Sequence, residues 1–274
     1  MYPIIHIKEG KYIMNYFFLF IILFSFTISA CSNNQIVHEV HHNKSTVATA
    51  RNEDWSYTGK TGPNYWSSIN KKYALCSNGK RQSPVNIDQA IKKSLPLGIN
   101  YHNDLFKIER SQYTVKFIPV NHSNSINLNG TNYTLLQFHF HTPSEHTING
   151  KQSDMEIHFI NENKNKSIIT IGILVDSGRL NKEFKKILNT NLMDEDFDGK
   201  VVKINLQSFI PYTSKKFSYT GSFTTPPCTE GIKWIIFNKP IQFSEEQIHS
   251  YQNYFEPNSR PVQPLNGRDL FESW

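Results

Sequence analysis

Residues 137–141 read Gln-Phe-His-Phe-His. Polar and aromatic side chains alternate at every position, which is the period of an extended strand, whose successive side chains point to opposite faces. Phe138 and Phe140 must therefore enter one face, while Gln137, His139 and His141 stand together on the other. A helix would scatter these five residues around its circumference. The segment thus demands a sheet with an apolar underside and a polar face that carries paired imidazoles. Similar runs recur at Tyr113–Pro119, Tyr133–His141, Met155–Ile160, Ile168–Val175 and Lys233–Phe237. They are rich in β-branched and aromatic residues and are separated by Asn, Gly, Ser and Pro. Asn129-Gly130 and Asn149-Gly150 are hairpin-turn signals. Helical signals are few. Ser244-Glu245-Glu246-Gln247 fits a capping box ahead of Ile248 and Tyr251, and Asn181 suits the cap of a short helix carrying Phe184, Ile187 and Leu188. No repeat or composition break follows Asp54. Residues 53–274 are expected to form one mainly β domain, of α+β type with few short helices.

A second histidine strand completes the chemical pattern. In Met155-Glu156-Ile157-His158-Phe159-Ile160, Glu156 and His158 share a face. If this strand pairs with 137–141, three imidazoles converge on one point. Three neutral imidazoles without a fourth protein ligand describe a catalytic zinc site, whose open position holds water with a pKa near 7. Gln137 and Glu156 each lie two residues from a ligand, where they can accept imidazole N–H groups and fix the tautomers. His-x-His alone is a weak motif, since such pairs are often structural or solvated; the third histidine and the two acceptors give it weight.

The remaining segments bear on location. Residues 16–29 are almost continuously apolar, with Lys8 and Lys11 before them. The run is shorter than the ~20 residues a spanning helix needs and suits the apolar core of a secretory signal. It ends Ile28-Ser29-Ala30-Cys31, which resembles the lipobox of bacterial lipoproteins, in which the cysteine is lipidated. This divides the chain into a signal at 1–31, a polar tether at 32–52 and the domain at 53–274. It implies an exported, periplasmic or cell-envelope protein that meets the membrane only through a lipid anchor. An ordinary signal peptide with an incidental Cys31, an uncleaved anchor and a start at Met14 are the alternatives. His38, His41 and His42 in the tether read as solvated. If Cys31 takes lipid, Cys76 and Cys228 remain, and in an oxidising compartment they either pair or stay as two thiols. The net charge is +6, but no run of five or more basic residues occurs, so the chain lacks the footprint of a nucleic-acid binder.

These motifs together resemble the alpha carbonic anhydrases. Beside Gln-Phe-His-Phe-His, Ser144-Glu145-His146 and Glu156-Ile157-His158-Phe159, the chain carries, in family order, Trp55-Ser56-Tyr57, Gly62-Pro63, Trp66, and Gln82-Ser83-Pro84-Val85-Asn86-Ile87. Gly221-Ser222-Phe223-Thr224-Thr225-Pro226-Pro227-Cys228-Thr229-Glu230-Gly231 and Asn258-Ser259-Arg260-Pro261-Val262-Gln263-Pro264 follow. The resemblance covers roughly residues 54–269. It implies a large, twisted, mostly antiparallel sheet of about ten strands, with a Zn²⁺ cofactor at the base of a conical cleft. It implies reversible hydration of carbon dioxide to bicarbonate and a proton by zinc-bound hydroxide.

Roles then follow position by position. His139, His141 and His158 match the zinc ligands. Thr224 matches the threonine that takes the hydroxide's hydrogen bond and donates to a glutamate, here Glu145. Thr225 matches a polar group near bicarbonate, and His146 a buried structural histidine. Ile160, Phe223, Ile232 and Trp234 match the apolar wall for carbon dioxide. Cys76 and Cys228 match a disulfide of exported members. Two departures stand out. Phe223 replaces the usual leucine and should narrow the cleft mouth or the apolar wall. Tyr113 falls where fast members carry the proton-shuttling histidine; His102 and His122 are close in sequence but miss that position. A side esterase activity is compatible with the same chemistry. A non-catalytic surface binding domain on this scaffold is the competing class.

Overall fold

The computed structural model describes residues 54–192 and 198–274. The signal, the tether and Cys31 lie outside the described residues. The strands are β1 (Asn86–Ile87), β2 (Ile91–Lys92), β3 (Leu97–Asn100), β4 (Asn103–Arg110), β5 (Val115–Pro119), β6 (Ser125–Leu128), β7 (Thr131–His141) and β8 (Thr147–Ile148). They continue as β9 (Lys151–Gln152), β10 (Met155–Glu162), β11 (Ile168–Ser177), β12 (Val201–Asn205), β13 (Lys216–Ser222), β14 (Glu230–Phe243) and β15 (Phe271–Ser273). The α-helices are short: α1 (Trp66–Ile69), α2 (Leu75–Asn78), α3 (Lys182–Leu188) and α4 (Glu245–Gln252).

Twelve strands form one sheet, ordered β12-β4-β5-β7-β10-β11-β14-β13-β15-β2, with β3 and β6 attached at the side. Ten strands lie on the main path, in keeping with the expectation of about ten, and the two at the side have a local cause. β7 is 11 residues long and serves two neighbours on one edge. Phe138 and His139 pair with β5, while Thr131–Thr134 pair with β6. Within this sheet, pairing is antiparallel except at β11–β14 and β15–β2. β1, β8 and β9 make a separate small sheet. The two Asn-Gly turns close hairpins with both residues left-handed, at φ 51° and 81° for Asn129-Gly130 and 51° and 74° for Asn149-Gly150. Paired positive φ values are what a two-residue hairpin turn requires.

The alternation in the central strands sorts their side chains into two layers. Phe138 and Phe140, Ile157 and Phe159, and Ile235 and Phe237 enter the main core and are almost wholly shielded. Phe138 stacks on Phe117 at 4.7 Å and on Phe159 at 5.5 Å. Full burial of such a ring contributes about 1.5–3 kcal/mol. Helices α3 and α4 close this core, with Phe184 stacked on Phe243 at 4.1 Å. Their caps form as the sequence implies: Asn181 accepts from Glu183 and Phe184 N–H, and Ser244 and Gln247 make a reciprocal capping box. The opposite layer carries the histidines.

A β-bulge adjusts that layer. On β10, Ile160 faces Gln137 but Asn161 faces Leu135, so Leu136 is the extra residue on β7. The bulge turns Leu135 into the core and Leu136 toward the histidine face.

Candidate metal centre

Antiparallel pairing sets His158 opposite His139 and Glu156 opposite His141. Opposed side chains share a face, so the three imidazoles meet, with ring centroids 4.5–5.3 Å apart. Each ring spends its N–H outward. His139 Nδ1 donates to Gln137 Oε1 at 2.9 Å, and His141 Nδ1 to the Asn258 carbonyl at 2.8 Å. His158 Nε2 donates to Glu156 Oε1 at 2.9 Å. The nitrogens left facing one another are His139 Nε2, His141 Nε2 and His158 Nδ1. All are bare lone pairs in these tautomers. His139 Nε2 and His141 Nε2 lie 3.0 Å apart. With no hydrogen between them the contact is repulsive, and a cation relieves it. A tetrahedral zinc ion at its usual ~2.0–2.1 Å from each nitrogen would hold them about 3.3 Å apart. The donor set fits zinc.

Burial keeps the rings in the neutral, ligating form. It holds His139 well below the usual histidine range, with further lowering from His141, His158 and Lys116. Burial likewise brings His141 down to about 4. His158 is lowered by burial against the pull of Glu156.

Behind the rings, Glu156 is fully buried and accepts four hydrogen bonds. They come from Glu145 N–H (2.9 Å), His146 N–H (2.8 Å), His146 Nδ1 (2.8 Å) and His158 Nε2 (2.9 Å). Burial acts to raise its pKa, but the interactions with His146 and His158 outweigh it and hold the carboxyl well below its ordinary value. His146, Glu156 and His158 also satisfy the spacing of a metal cluster. We reject that reading, because His146 spends Nδ1 on Glu156 and Nε2 on the Tyr219 hydroxyl at 2.6 Å. This trio supports His158 from behind.

Glu145 sits between the two groups and is 1% exposed. Its Oε1 accepts from Arg260 N–H at 2.9 Å. Its Oε2 lies 3.6 Å from His141 Nε2 and 3.9 Å from His158 Nδ1, buried and without a hydrogen-bond partner. Burial pushes this carboxyl up to about 7, against His158, the Arg260 N–H and the Thr224 hydroxyl. Thr224 thus acts on Glu145, yet no hydrogen bond of good geometry closes between them. The two groups stand together, with Glu145 Oε2 left unpartnered.

A cavity of about 390 Å³ opens over the imidazoles. Ile160, Phe223, Trp234 and the bulged Leu136 form an apolar side, and Thr224, Thr225 and Gln137 contribute polar groups. Ile232, expected on the apolar wall, does not line it. That side chain packs in the cluster of Val85, Ile87 and Phe217 to which Trp234 also belongs. At the rim, Tyr113 lies in the loop between β4 and β5 and packs on Trp55 at 4.8 Å and Tyr57 at 5.2 Å. Its hydroxyl donates to the Trp55 carbonyl and accepts from Gln112. His102 and His122 are absent from the lining.

Cys76 and Cys228 form a disulfide across 152 residues. Gln82 Nε2 donates to the Cys228 carbonyl, and buried Arg260 donates to Cys76 O, Ser83 O and Gln82 Oε1. The motifs at 82–87, 221–231 and 258–264 are thereby tied into one support.

Sequence reasoning missed several contributors. Asn258 and Arg260 lie in a quoted motif, but no spacing shows that one orients His141 and the other Glu145. Ser111, Thr114 and Leu136 line the cavity without any motif. Lys116 alternates with Val115 and Phe117, a signal that it faces the histidine side.

Comparison with known proteins agrees with this geometry. The eukaryotic-type carbonic anhydrase family model matches residues 61–274. A carbonic anhydrase of Neisseria gonorrhoeae is 35% identical over 234 residues, covering 83% of this chain and 91% of the relative. One from Klebsiella pneumoniae is 34% identical over 222 residues, covering 80% and 90%. The solved alpha carbonic anhydrase of Thermovibrio ammonificans, complexed with the inhibitor sulfanilamide, superposes with a TM-score of 0.73 at 35% identity, covering 79% of this chain and 98% of that one. Dioscorin complexed with ascorbate superposes at 0.75 with 27% identity, covering 80% and 98%. A family match over most of the domain, close relatives of nearly full length and the convergent imidazoles agree that this chain belongs to the alpha carbonic anhydrase family.

Proposed function

We propose that His139, His141 and His158 hold a zinc ion and that the enzyme hydrates carbon dioxide reversibly at that centre. The observation that carries this reading is the convergence of three lone-pair nitrogens, each with its tautomer set by an outward hydrogen bond. Zinc bound there supplies hydroxide near neutral pH, since bound water reaches a pKa of about 7, a value established for carbonic anhydrases as a class.

The chain's own residues supply the rest. Ile160, Phe223, Leu136 and Trp234 offer an apolar resting place for an uncharged linear substrate. If Thr224 donates to the unpartnered Glu145 Oε2, its oxygen faces the cavity only as an acceptor. A ligand beside it must then bring its own hydrogen, which favours bicarbonate's protonated oxygen over bare anions and orients the nucleophile. Tyr113 is a poor proton acceptor at the shuttle position, since a phenol's ordinary pKa is about 10. Proton release therefore limits turnover. Ester hydrolysis is expected as a slow side reaction. A purely binding role finds no support in the site, because no ligand histidine is lost.

Stopped-flow carbon dioxide hydration, before and after stripping with a chelator, tests this reading. Activity lost on stripping and regained with zinc supports it, and undiminished activity in metal-free protein refutes it. We further propose that residues 1–31 direct export, that Cys31 is lipidated and that 32–52 serve as a tether to the domain at 53–274. Cys31→Ser should then release the protein from membranes; an unchanged distribution with a lipid-free N-terminus would point to an ordinary signal peptide.

A further inference from the structure

Lys116 stands directly opposite His139 across the β5–β7 pair. Its neighbours Val115 and Phe117 are wholly buried in the core, so Lys116 projects to the imidazole face. Directly opposed side chains on antiparallel strands lie with Cβ atoms ~4.5–5.5 Å apart. Lys116 is half-buried and lines the cavity. Its charge reaches the site, being one of the influences that lower His139. No hydrogen bond or ion pair engages its ammonium among the described residues.

The rest of the lining is uncharged. It contains no Asp, Glu or Arg, and burial holds its histidines below their ordinary range, which favours the neutral form. The nearest carboxylates, Glu145 and Glu156, are buried behind the rings and spend oxygens on backbone and imidazole N–H groups. The cavity therefore presents one unneutralised positive charge beside a ligand histidine. Wherever a low-dielectric wall surrounds a single sign of charge, counter-ions concentrate.

Resting on the zinc reading above, we propose that Lys116 is a specificity-determining residue that draws small anions, bicarbonate among them, to the open position beside His139. Carbon dioxide carries no charge and gains nothing from it. Bicarbonate gains affinity and is correspondingly slower to leave. For a unit charge pair ~8 Å apart, Coulomb's law across effective dielectrics from water to a protein surface gives an effect of roughly two- to thirtyfold on affinity.

Calorimetric titration of sodium thiocyanate into the zinc-loaded full-length protein at low ionic strength tests the proposal. Lys116→Met should bind about tenfold more weakly than wild type, and Lys116→Arg within about threefold of it. Added non-coordinating salt should weaken wild-type binding more steeply than binding to Lys116→Met. Equal affinity and equal salt dependence in wild type and Lys116→Met overturn the proposal and leave the zinc reading intact. Metal-stripped wild type that binds thiocyanate as tightly as zinc-loaded protein overturns the zinc reading and with it this proposal, whereas zinc-loaded wild type that does not bind it overturns this proposal alone.

Discussion

Replacing Glu156 by glutamine changes one oxygen to an NH₂ group at nearly constant volume, in a pocket where every neighbour is a donor. Glu156 Oε2 accepts two backbone N–H groups, from Glu145 and His146, and Oε1 accepts His146 Nδ1 and His158 Nε2. Backbone donors cannot change, so the amide oxygen must stay with them and the NH₂ must face the two imidazoles. His158 can accommodate a donor at Nε2 only by moving its proton to Nδ1, the nitrogen that faces His141 and His139. The substitution therefore costs a ligand lone pair as well as charge-assisted hydrogen bonds. Breaking a buried, satisfied carboxylate of this kind costs about 3–5 kcal/mol. Loss of a metal-orienting partner lowers metal affinity about ten- to hundredfold. For a domain of this size each kcal/mol shifts the midpoint by about 2–4 °C, so Glu156→Gln should melt roughly 10 °C below wild type in metal-free form. Circular dichroism on metal-free protein and competition with a chromophoric zinc chelator read the two effects separately. An unchanged midpoint together with zinc affinity within a factor of three of wild type would refute the assignment of Glu156 as the group that fixes His158.

Three further outcomes are expected. Reducing the Cys76–Cys228 bond, or replacing both residues with alanine, frees a loop of 152 residues; the chain-entropy model gives up to ~5 kcal/mol, so a clear fall in the urea midpoint should follow, and an unaltered midpoint would contradict it. In metal-free protein the ligand histidines have lowered native pKa values, so their contribution is present above the unfolded value of about 6.5 and lost as pH falls, through about 4 for His141. Glu145, raised to about 7, has the opposite sign and regains stability as pH falls from about 7 to 4.5. Stability should therefore be nearly flat around pH 7 and drop with increasing slope below about pH 6; Glu145→Gln should begin to lose stability sooner on acidification, and an identical profile in the variant would contradict the assignment. Tyr113→His, or bulky imidazole buffer added to wild type, should raise kcat while leaving kcat/KM nearly unchanged; indifference to both would move the proton route elsewhere.

The period-two pattern at 137–141 was the most informative stretch because one constraint served two purposes. The phenylalanines that anchor the strand oblige the histidines to share the other face. The same parity on β10 brought in His158 and Glu156, and hairpin chemistry at the Asn-Gly pairs set the turns. Other features depend on partners far along the chain. The Asn258 carbonyl that fixes His141 is 117 residues away, and the Arg260 N–H that holds Glu145 is 115 residues away. No local propensity encodes such contacts. Leu136 reaches the cavity only through the bulge at Ile160/Asn161, which parity alone places on the wrong face. Ile232 illustrates the converse: its alternation with Trp234 is correct, but the packing of Val85, Ile87 and Phe217 around it is tertiary information. β4 at 103–110 and β13 at 216–222 carry charged and polar residues among their apolar ones, and β3 and β6 are only four residues each, so none of these runs stands out as a strand by local pattern.

In the proposed mechanism His139, His141 and His158 together hold a single zinc ion on which carbon dioxide hydration depends. The most direct measurement is a zinc titration of metal-stripped protein, with stopped-flow hydration recorded at each addition. Wild type should show a linear rise that breaks sharply at one zinc per chain, with no rise beyond background in His158→Ala. Activity that is complete before zinc is added, or a His158→Ala protein that regains wild-type activity at one equivalent, would contradict it.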